Sequence, residues 1–370
     1  MLSGRATPVI AGPGVLTERV ARPPAFKKVL GAGCVLDRRS MQFFCLLAAV
    51  GLFVIGCSVS LNDRDGRVSE NGNGVENPKD SPASFWRQPK KDIVSQRRLL
   101  SQESDRQNPV QYRSPVSSAA LISTLVQAGL WDNDLSNEVP LLLIDVFPAD
   151  LASLDIELKK RVFLRSLLPV VMVAIEEVRS ERERFQFILE KFDNEPSEIF
   201  FPRRDIAWQR QLLPDEVRFV RELTRKYRHT NAAQLLKRID VVPVSLVLAQ
   251  GAIESSWGTS RFASLGNNLF GMWTWGEAGI VPLGREEGKS HKIAAYNSIV
   301  ESVRAYILTI NRHSAYEHLR ELRLQTSDPL LLSQGLLNYS ERREAYVEDL
   351  RKVISCNRLN EFDKYSLTSI

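Results

Sequence analysis

The sequence contains little cysteine and little histidine, with four residues of each in a chain of 370. So few cysteines exclude the disulfide-dense scaffolds of small secreted domains. The histidines fit no HExxH pattern and no CxxC pair is present, so neither a metal site nor a cofactor is expected. The longest strongly apolar stretch, residues 43–56, has 14 residues. A helix of that length covers about 21 Å, less than a bilayer core, which argues against a multi-span membrane protein.

Most of the chain lacks an excess of charge of either sign. The formal net charge of +5 arises within residues 1–56, which carry seven Lys or Arg and two acidic residues. From Cys57 onward, 42 basic residues face 42 acidic ones. Global charge therefore does not favour a nucleic-acid partner, because a polyanion is bound through an excess of basic charge.

A short apolar segment near the start of the sequence has the features of an export signal, predicted at 37–57. Arg38 and Arg39 precede the apolar run, and Val-Ile-Gly-Cys ends it at Cys57. A positively charged n-region, a short apolar h-region and small residues at the cleavage site are typical of such a signal. Val-Ile-Gly-Cys also resembles a bacterial lipobox, so Cys57 is expected to be lipidated. The residue after Cys57 is Ser58, not the Asp that commonly retains such lipoproteins at the inner membrane. An outer-membrane anchor facing the periplasm is therefore expected.

Composition divides the chain into segments of different character. Residues 1–36 do not fit an n-region and are interpreted as an atypical leader or as sequence ahead of the true translation start. After the signal, the polar and Gly/Pro-rich stretch cannot bury enough apolar surface to offset the entropy of ordering. The predicted segments are a disordered tether at 58–118, a poorly defined approach segment at 119–150, a main domain at 151–360 and a C-terminal tail at 361–370.

Apolar residues recur at helical spacing from Asp155 onward, and Pro169 is expected to kink or divide this first helix. Residues 258–297 lose the helical period and carry seven glycines, which indicates a loop or a small sheet. The pattern predicts one mainly helical domain with a Gly-rich insertion in its middle. Further helices are predicted at about 215–228, 231–238, 243–257, 298–311, 315–324, 328–337 and 341–355.

The densest group of chemically capable residues lies in the sequence LAQGAIESSWGTSRFASLGNNLFGMW, which contains Glu254. Helical spacing places Glu254 beside Gln250, Gly251, Trp257 and Gly258. An acid on an apolar helix end is poorly solvated, and desolvation favours its neutral form. A carboxylic acid protonated near neutral pH is what glycosidic cleavage needs, because the leaving oxygen must receive a proton. In isolation such a Glu is more often a cap or a member of an ion pair.

Residues 240–359 resemble the bacterial glucosaminidase family, which is glycoside hydrolase family 73 of the lysozyme-like superfamily, and in particular its Bax-type branch. The resemblance is carried by the segment around Glu254 and by three later ones. It implies a mainly α (α+β) fold, in which a lysozyme-like helical domain and a small Gly-rich β-lobe enclose a substrate cleft. It also implies an N-acetylglucosamine-containing glycan, usually peptidoglycan, as the substrate. The three later segments are GIVPLGREEGKSHKIAAYNSIVESVRAYI, NRHSAYEHLRELR and NYSERREAYVEDLRKVI.

The resemblance also implies roles for single residues. Glu254 matches the catalytic acid of the ES-x-W-G motif, and Tyr339 matches a late family tyrosine, although Ser340 onward departs from the family pattern. Glu286 lies in the region of the second family carboxylate, beside Glu287 and behind Glu277, and the substrate's own N-acetyl group is an alternative nucleophile. Asn267 either supplies an amide to the substrate or only shapes a turn. The aromatic candidates for sugar contact are Trp257, Phe270, Trp273 and Trp275.

Three functions remain open from the sequence. The first is an exported endo-β-N-acetylglucosaminidase of peptidoglycan, monomeric and bound to the membrane through its lipid. The second is a lytic transglycosylase, which needs only Glu254 as acid and base and leaves a 1,6-anhydro sugar. The third is a non-enzymatic cell-wall-binding lipoprotein that keeps the fold, and the presence of Glu254 disfavours it.

Overall fold

A computed structural model describes residues 111–132, 137–204, 206–275, 279–282, 285 and 290–368. The predicted leader, export signal, lipidated Cys57 and Glu286 lie outside the described residues, as does most of the predicted tether. Within the described ranges no helix is both long and apolar enough to cross a bilayer. The same ranges contain no group of three or more His, Cys, Asp or Glu residues arranged to hold a metal ion.

Helices make up most of the described chain, which confirms the predicted mainly α, lysozyme-like fold. Ten α-helices occur in these ranges, joined by short 3-10 turns. The helices are α1 Ser118–Gln127, α2 Ile156–Leu189, α3 Pro214–Lys226, α4 Ala232–Arg238, α5 Val244–Glu254, α6 Arg261–Gly266, α7 Ile299–Arg312, α8 Glu317–Arg323, α9 Pro329–Leu332 and α10 Glu344–Cys356.

The strands are short and form three separate pairs within the described ranges. Two pairs are parallel, β1 with β3 and β2 with β6, and one is antiparallel, β4 with β5. The antiparallel pair lies in the Gly-rich insertion, where a small sheet was one of the two predicted outcomes. The strands are β1 Gln111–Arg113, β2 Glu138–Val139, β3 Leu142–Ile144, β4 Trp273–Thr274, β5 Lys292–Ile293 and β6 Ser366–Leu367.

The ordered fold extends beyond the predicted main domain at both ends. β1 lies inside the predicted tether, and α1 begins at the last residue of that tether and continues into the predicted approach segment. β6 lies inside the predicted tail and pairs with β2, with Glu138 opposite Ser366. Strands this short carry no readable alternation of polar and apolar residues, which is why sequence periodicity does not reveal them.

The 34-residue helix α2 runs past Pro169 without a break. The Asp155 carboxylate caps its start by accepting the Leu158 N–H at 3.0 Å. Proline inside a helix costs about 3 kcal/mol because it removes a backbone hydrogen bond. Residues 162–164 and 166–172 around it are buried, so packing offsets that cost. The helix is therefore not divided at Pro169, in contrast to one of the two predicted outcomes.

Helix α5 is the most deeply buried helix of the domain. Every residue from Val244 to Ala252 is buried, and the helix contacts α2, α10 and the 3-10 turn Leu359–Lys364. A helix that is apolar on all faces is stable only when other elements surround it. The helix ends at Glu254, three residues before the predicted end, because Ser256 and Trp257 take positive φ angles of 52° and 59°.

Both ends of the segment leading into α5 are fixed by charged side chains. Asp240 forms ion pairs with Arg182 at 3.8 Å and with Arg323 at 3.5 Å. Asp363 accepts the Ser245 N–H at 2.8 Å and the Ser245 hydroxyl at 2.6 Å. A carboxylate at a helix N-terminus satisfies a free N–H group and complements the helix dipole.

Candidate active site

Glu254 is the last residue of α5, and a tight turn follows it at once. Ser256, Trp257 and Gly258 have φ angles of +52°, +59° and +81°. The Ser255 hydroxyl donates to the Gly251 carbonyl at 2.5 Å and accepts the Gly258 N–H at 2.8 Å. Non-glycine residues rarely adopt positive φ, and such strain persists where surrounding structure imposes it. The turn therefore ends the helix at the carboxylate.

The Trp-Gly pair of the motif packs against α2 and the segment before it. The Trp257 ring meets the Phe163 ring edge-on, with centroids 5.8 Å apart, and the Lys160 ammonium lies 5.7 Å from the Trp257 ring centroid. A Cβ on Gly258 would lie 3.0 Å from Phe147 and 3.1 Å from Phe163. Trp257 is partly buried here, and its predicted sugar contact stays a prediction.

Burial sets the protonation of Glu254. Desolvation raises the pKa of its carboxyl from the ordinary 4.5 to about 7, although a hydrogen bond from Tyr346 and the positive charge of Arg342 act to lower the pKa. The neutral acid is thus well populated at neutral pH. The sequence argument predicted this direction from the apolar helix end alone.

Four tyrosines, Tyr306, Tyr316, Tyr339 and Tyr346, lie near enough to Glu254 for its charge to act on their hydroxyl groups. The Tyr339 and Tyr346 rings stack with centroids 5.7 Å apart, and the Tyr316 ring centroid lies 5.9 Å from that of Tyr339. Burial raises the pKa of all four hydroxyl groups, and the negative charge of Glu254 raises it further. The hydroxyls therefore remain protonated and can serve as hydrogen-bond donors.

A buried hydrogen-bond chain links two of these tyrosines through Gln250. The Tyr306 hydroxyl donates to Gln250 Oε1, and Gln250 Nε2 donates to the Tyr346 oxygen at 3.0 Å. The Tyr346 hydroxyl acts on the Glu254 carboxyl by lowering its pKa, against the larger effect of burial. Gln250 and Tyr306 have no exposed surface and Tyr346 is 2% exposed. Sequence analysis placed Gln250 one turn before Glu254 but did not identify either tyrosine.

A hydrogen bond from Tyr339 fixes the backbone at Phe270, next to Glu254. The Tyr339 hydroxyl donates to the Phe270 carbonyl at 2.7 Å. The next residue, Gly271, has φ +64°, and a Cβ there would lie 3.9 Å from Glu254 Oε2. Phe270 is 1% exposed and its ring stacks on Tyr306 at a centroid distance of 4.2 Å, so it lies in the core beneath the site.

The Asn267–Asn268 pair shapes the turn that leads to Phe270. Asn267 has φ +51° at the end of α6, and its amide donates to the Tyr296 carbonyl at 3.1 Å. Asn268, 1% exposed, donates to the Met272 and Ala294 carbonyls at 2.8 and 2.9 Å. The hydrogen bond from Asn267 to Tyr296 matches the turn-shaping alternative predicted for Asn267. A direct contact between Asn267 and the substrate stays a prediction.

The small antiparallel pair carries the two remaining aromatic candidates. Trp273 in β4 stacks on His291, with centroids 4.5 Å apart and an interplanar angle of 13°. Trp275 is 47% exposed, and its ring centroid lies 6.4 Å from that of Trp273. Trp275 therefore offers the more accessible ring of the two. Glu286 and its neighbours Glu277 and Glu287 lie outside the described residues.

Comparison with protein families identifies the segment that holds this arrangement. Residues 229–359 match the glucosaminidase family, described as mannosyl-glycoprotein endo-beta-N-acetylglucosaminidase. Glu254, Gln250 and the four tyrosines fall in that range, whereas the residues that pack against the Trp257–Gly258 turn, Phe147, Lys160 and Phe163, precede it. The segment is similar to glucosaminidase domains. The predicted resemblance to Bax-type glucosaminidases is thereby confirmed at the level of the family.

The chain is also similar to one curated protein. The chain is 29% identical over 176 residues to the protein named Protein bax of Escherichia coli (strain K12). That match covers 45% of this chain and 56% of the relative, so the chain spans little more than half of the relative's length. No solved structure matches the chain significantly.

Replacing Glu254 by Gln is expected to stabilise the protein above pH 7. Folding raises the pKa of this carboxyl from 4.5 to about 7, so ionisation costs nothing below pH 4.5 and its full cost is present above pH 7. Glutamine avoids the cost, and the gain in unfolding free energy reaches at most about 3 kcal/mol. Urea unfolding of both proteins between about pH 4 and pH 8 measures it. A difference that stays constant with pH contradicts the raised pKa.

Proposed function

We propose that the chain is an endo-β-N-acetylglucosaminidase of peptidoglycan and that Glu254 is its general acid. The family match supports glycoside hydrolysis at the level of the class. The observation that carries the finer proposal is the Glu254 carboxyl, whose pKa burial raises to about 7 within the matched segment. A catalytic acid works best when its pKa lies near the operating pH.

The proposed reaction begins with proton transfer from Glu254 to the glycosidic oxygen. The bond from that oxygen to the anomeric carbon breaks, its electron pair stays on the oxygen, and an oxocarbenium-like centre develops on the sugar. The ionised Glu254 then takes a proton from the water that attacks the anomeric carbon, which restores the acid. Glu286 or the substrate's N-acetyl group stabilises the anomeric centre in this scheme, and both assignments are proposals.

Trp275 and Tyr339 have different parts in this proposal. An exposed indole face suits stacking on a sugar ring, and Trp275 is the candidate for that contact. Tyr339 acts by holding the Phe270–Gly271 backbone beside Glu254, because its hydroxyl already donates to the Phe270 carbonyl. The absence of a side chain at Gly271 leaves space next to the acid.

Digestion of purified peptidoglycan tests the activity. The full chain is expected to release fragments that end in a reducing N-acetylglucosamine, as read by mass spectrometry, and Glu254→Gln is expected to lose at least about a hundredfold in rate. Glu348→Gln, which alters an exposed acid in the same domain, is the matched control and is expected to retain the rate.

The products separate the alternative functions. Fragments with 1,6-anhydro-muramic ends identify a lytic transglycosylase, in which the ionised Glu254 takes a proton from the sugar's own hydroxyl instead of from water. Absence of any fragments from the folded full chain contradicts muralytic activity and favours a wall-binding lipoprotein.

The proposed acid also fixes the pH dependence of the rate. With a pKa of about 7, half of the Glu254 carboxyls are protonated at pH 7 and about a tenth at pH 8. We expect kcat/KM to fall about fivefold from pH 7 to pH 8 and about tenfold from pH 8 to pH 9. Initial rates of peptidoglycan solubilisation between about pH 5 and pH 9 measure this, and a rate that stays level up to pH 9 contradicts Glu254 as the acid.

We also propose that the protein is exported and anchored through lipidated Cys57. The signal-like segment 37–57 supports this proposal, and peptidoglycan lies outside the cytoplasm. After expression in a Gram-negative host, the mature chain is expected to start at Cys57 with an added diacylglycerol. Cys57→Ser is expected to abolish this modification, whereas Cys45→Ser, inside the apolar run, is the matched control. An unmodified mature chain by intact-mass measurement contradicts the proposal.

A further inference from the structure

A row of arginines lies on the exposed face of α3, which precedes the segment that matches the glucosaminidase family. Arg218, Arg221 and Arg225 are three and four residues apart, so they project from one side of the helix. All three are exposed, whereas Val220 and Leu223 of the same helix are buried. Spacing and burial together give α3 a basic solvent face.

The segment before α3 extends this basic face. The Arg221 guanidinium donates to Gln209 Oε1 at 3.0 Å, which joins the helix to the 3-10 turn Ala207–Gln211. The turn and the residues before it add three more exposed arginines. The six residues of this arginine face are Arg203, Arg204, Arg210, Arg218, Arg221 and Arg225.

The acids around the arginine face do not neutralise it. Asp215 pairs with Arg184 at 3.1 Å and Glu216 pairs with Lys191 at 2.5 Å, so side chains of α2 engage both carboxylates. Within the part of the chain that the structure describes, none of the six arginines forms an ion pair. The sequence of 203–225 holds two further acids, Asp205 and Glu222. The face therefore keeps a positive charge, although the chain from Cys57 onward is neutral.

Two large apolar side chains are exposed among these arginines. Ile206 is 55% exposed and Leu213, the residue before α3, is 59% exposed. Cations beside exposed apolar side chains suit an anionic membrane, because the cations attract lipid phosphates while the apolar groups enter the headgroup region. Arginine is especially suited to this role, since its guanidinium can donate two parallel hydrogen bonds to one phosphate.

We propose that the arginine face, together with Ile206 and Leu213, is a docking surface for a membrane that contains anionic phospholipid. A soluble polyanion would be held by charge alone and gives no role to the two apolar side chains. The lipid anchor proposed at Cys57 would keep such a membrane close to the domain. The surface itself depends neither on that anchor nor on the proposed glycosidase activity.

The test measures binding to vesicles by co-sedimentation. The full chain carries Cys57→Ser, so that no lipid anchor contributes, and vesicles of phosphatidylglycerol and phosphatidylethanolamine are compared with vesicles of phosphatidylcholine. Each basic side chain near an anionic surface contributes about a fivefold factor to binding. Changing Arg218, Arg221 and Arg225 to Gln together is therefore expected to lower the affinity for the anionic vesicles about a hundredfold. The affinity for phosphatidylcholine is expected to stay unchanged.

A matched control removes the same charge elsewhere. Lys352, Arg358 and Lys364 are exposed basic residues near the end of the described chain, and changing all three to Gln is expected to retain the affinity. Every variant keeps the apolar run at 43–56, so any membrane affinity of that run is the same in all of them. Leu213→Ser is expected to lower the affinity but to leave its dependence on salt, which reports the charge, unchanged.

The outcomes separate this inference from simple charge effects. Equal losses for the two triple variants overturn it, because binding then follows net charge alone, and so does an undiminished affinity of the α3 variant. Loss of binding to purified peptidoglycan with unchanged vesicle binding overturns it in favour of a wall polymer. If the α3 variant does not fold, the Gln variants of Arg203, Arg204 and Arg210 test the same face from the turn.

The inference and the proposed function fail separately. Digestion of peptidoglycan without vesicles is expected to proceed at an unchanged rate in every variant, because none of these residues lies at the candidate active site. Failure of the full chain to digest peptidoglycan contradicts the proposed function and leaves the vesicle affinities, and with them the inference, intact.

Discussion

The burial of α5 from Val244 to Ala252 is the constraint on which the rest of the domain depends. Val244 to Ala252 are enclosed on every side, so a reactive side chain can lie next to a substrate only at one of the two ends of this helix. Asp363 meets the first end and Glu254 forms the last. The polar side chain of Gln250 in between is itself fully hydrogen-bonded to tyrosines, so the interior of the helix remains compatible with burial.

The same enclosure works against stability at the site. A carboxyl that folding leaves poorly solvated and a turn of three successive left-handed residues both cost free energy. The aromatic rings of Phe147 and Phe163, packed against the turn at Gly258, supply the contacts that keep it in place. Such conflicts between local preference and overall fold concentrate at functional sites. Their location here agrees with the family match.

Sequence reasoning identified the parts of the site that lie close together in the chain. Glu254, its apolar helix and the Gly-rich insertion all follow from local spacing. Tyr306 and Tyr346 did not, because periodicity shows that a tyrosine is buried but not which polar atom its hydroxyl meets. The early end of α5 was missed because Trp257 is a residue type that seldom adopts a left-handed backbone. Glu286 stays a prediction.

The contact between Ser245 and Asp363 joins residues 118 positions apart, and it caps the helix that ends in Glu254. During synthesis from the N-terminus, the ribosome has made the whole of the matched segment before this cap becomes available. The order of translation thus delays the completion of α5. Until Asp363 has been made, a nascent chain holds Glu254 on a helix that lacks this cap.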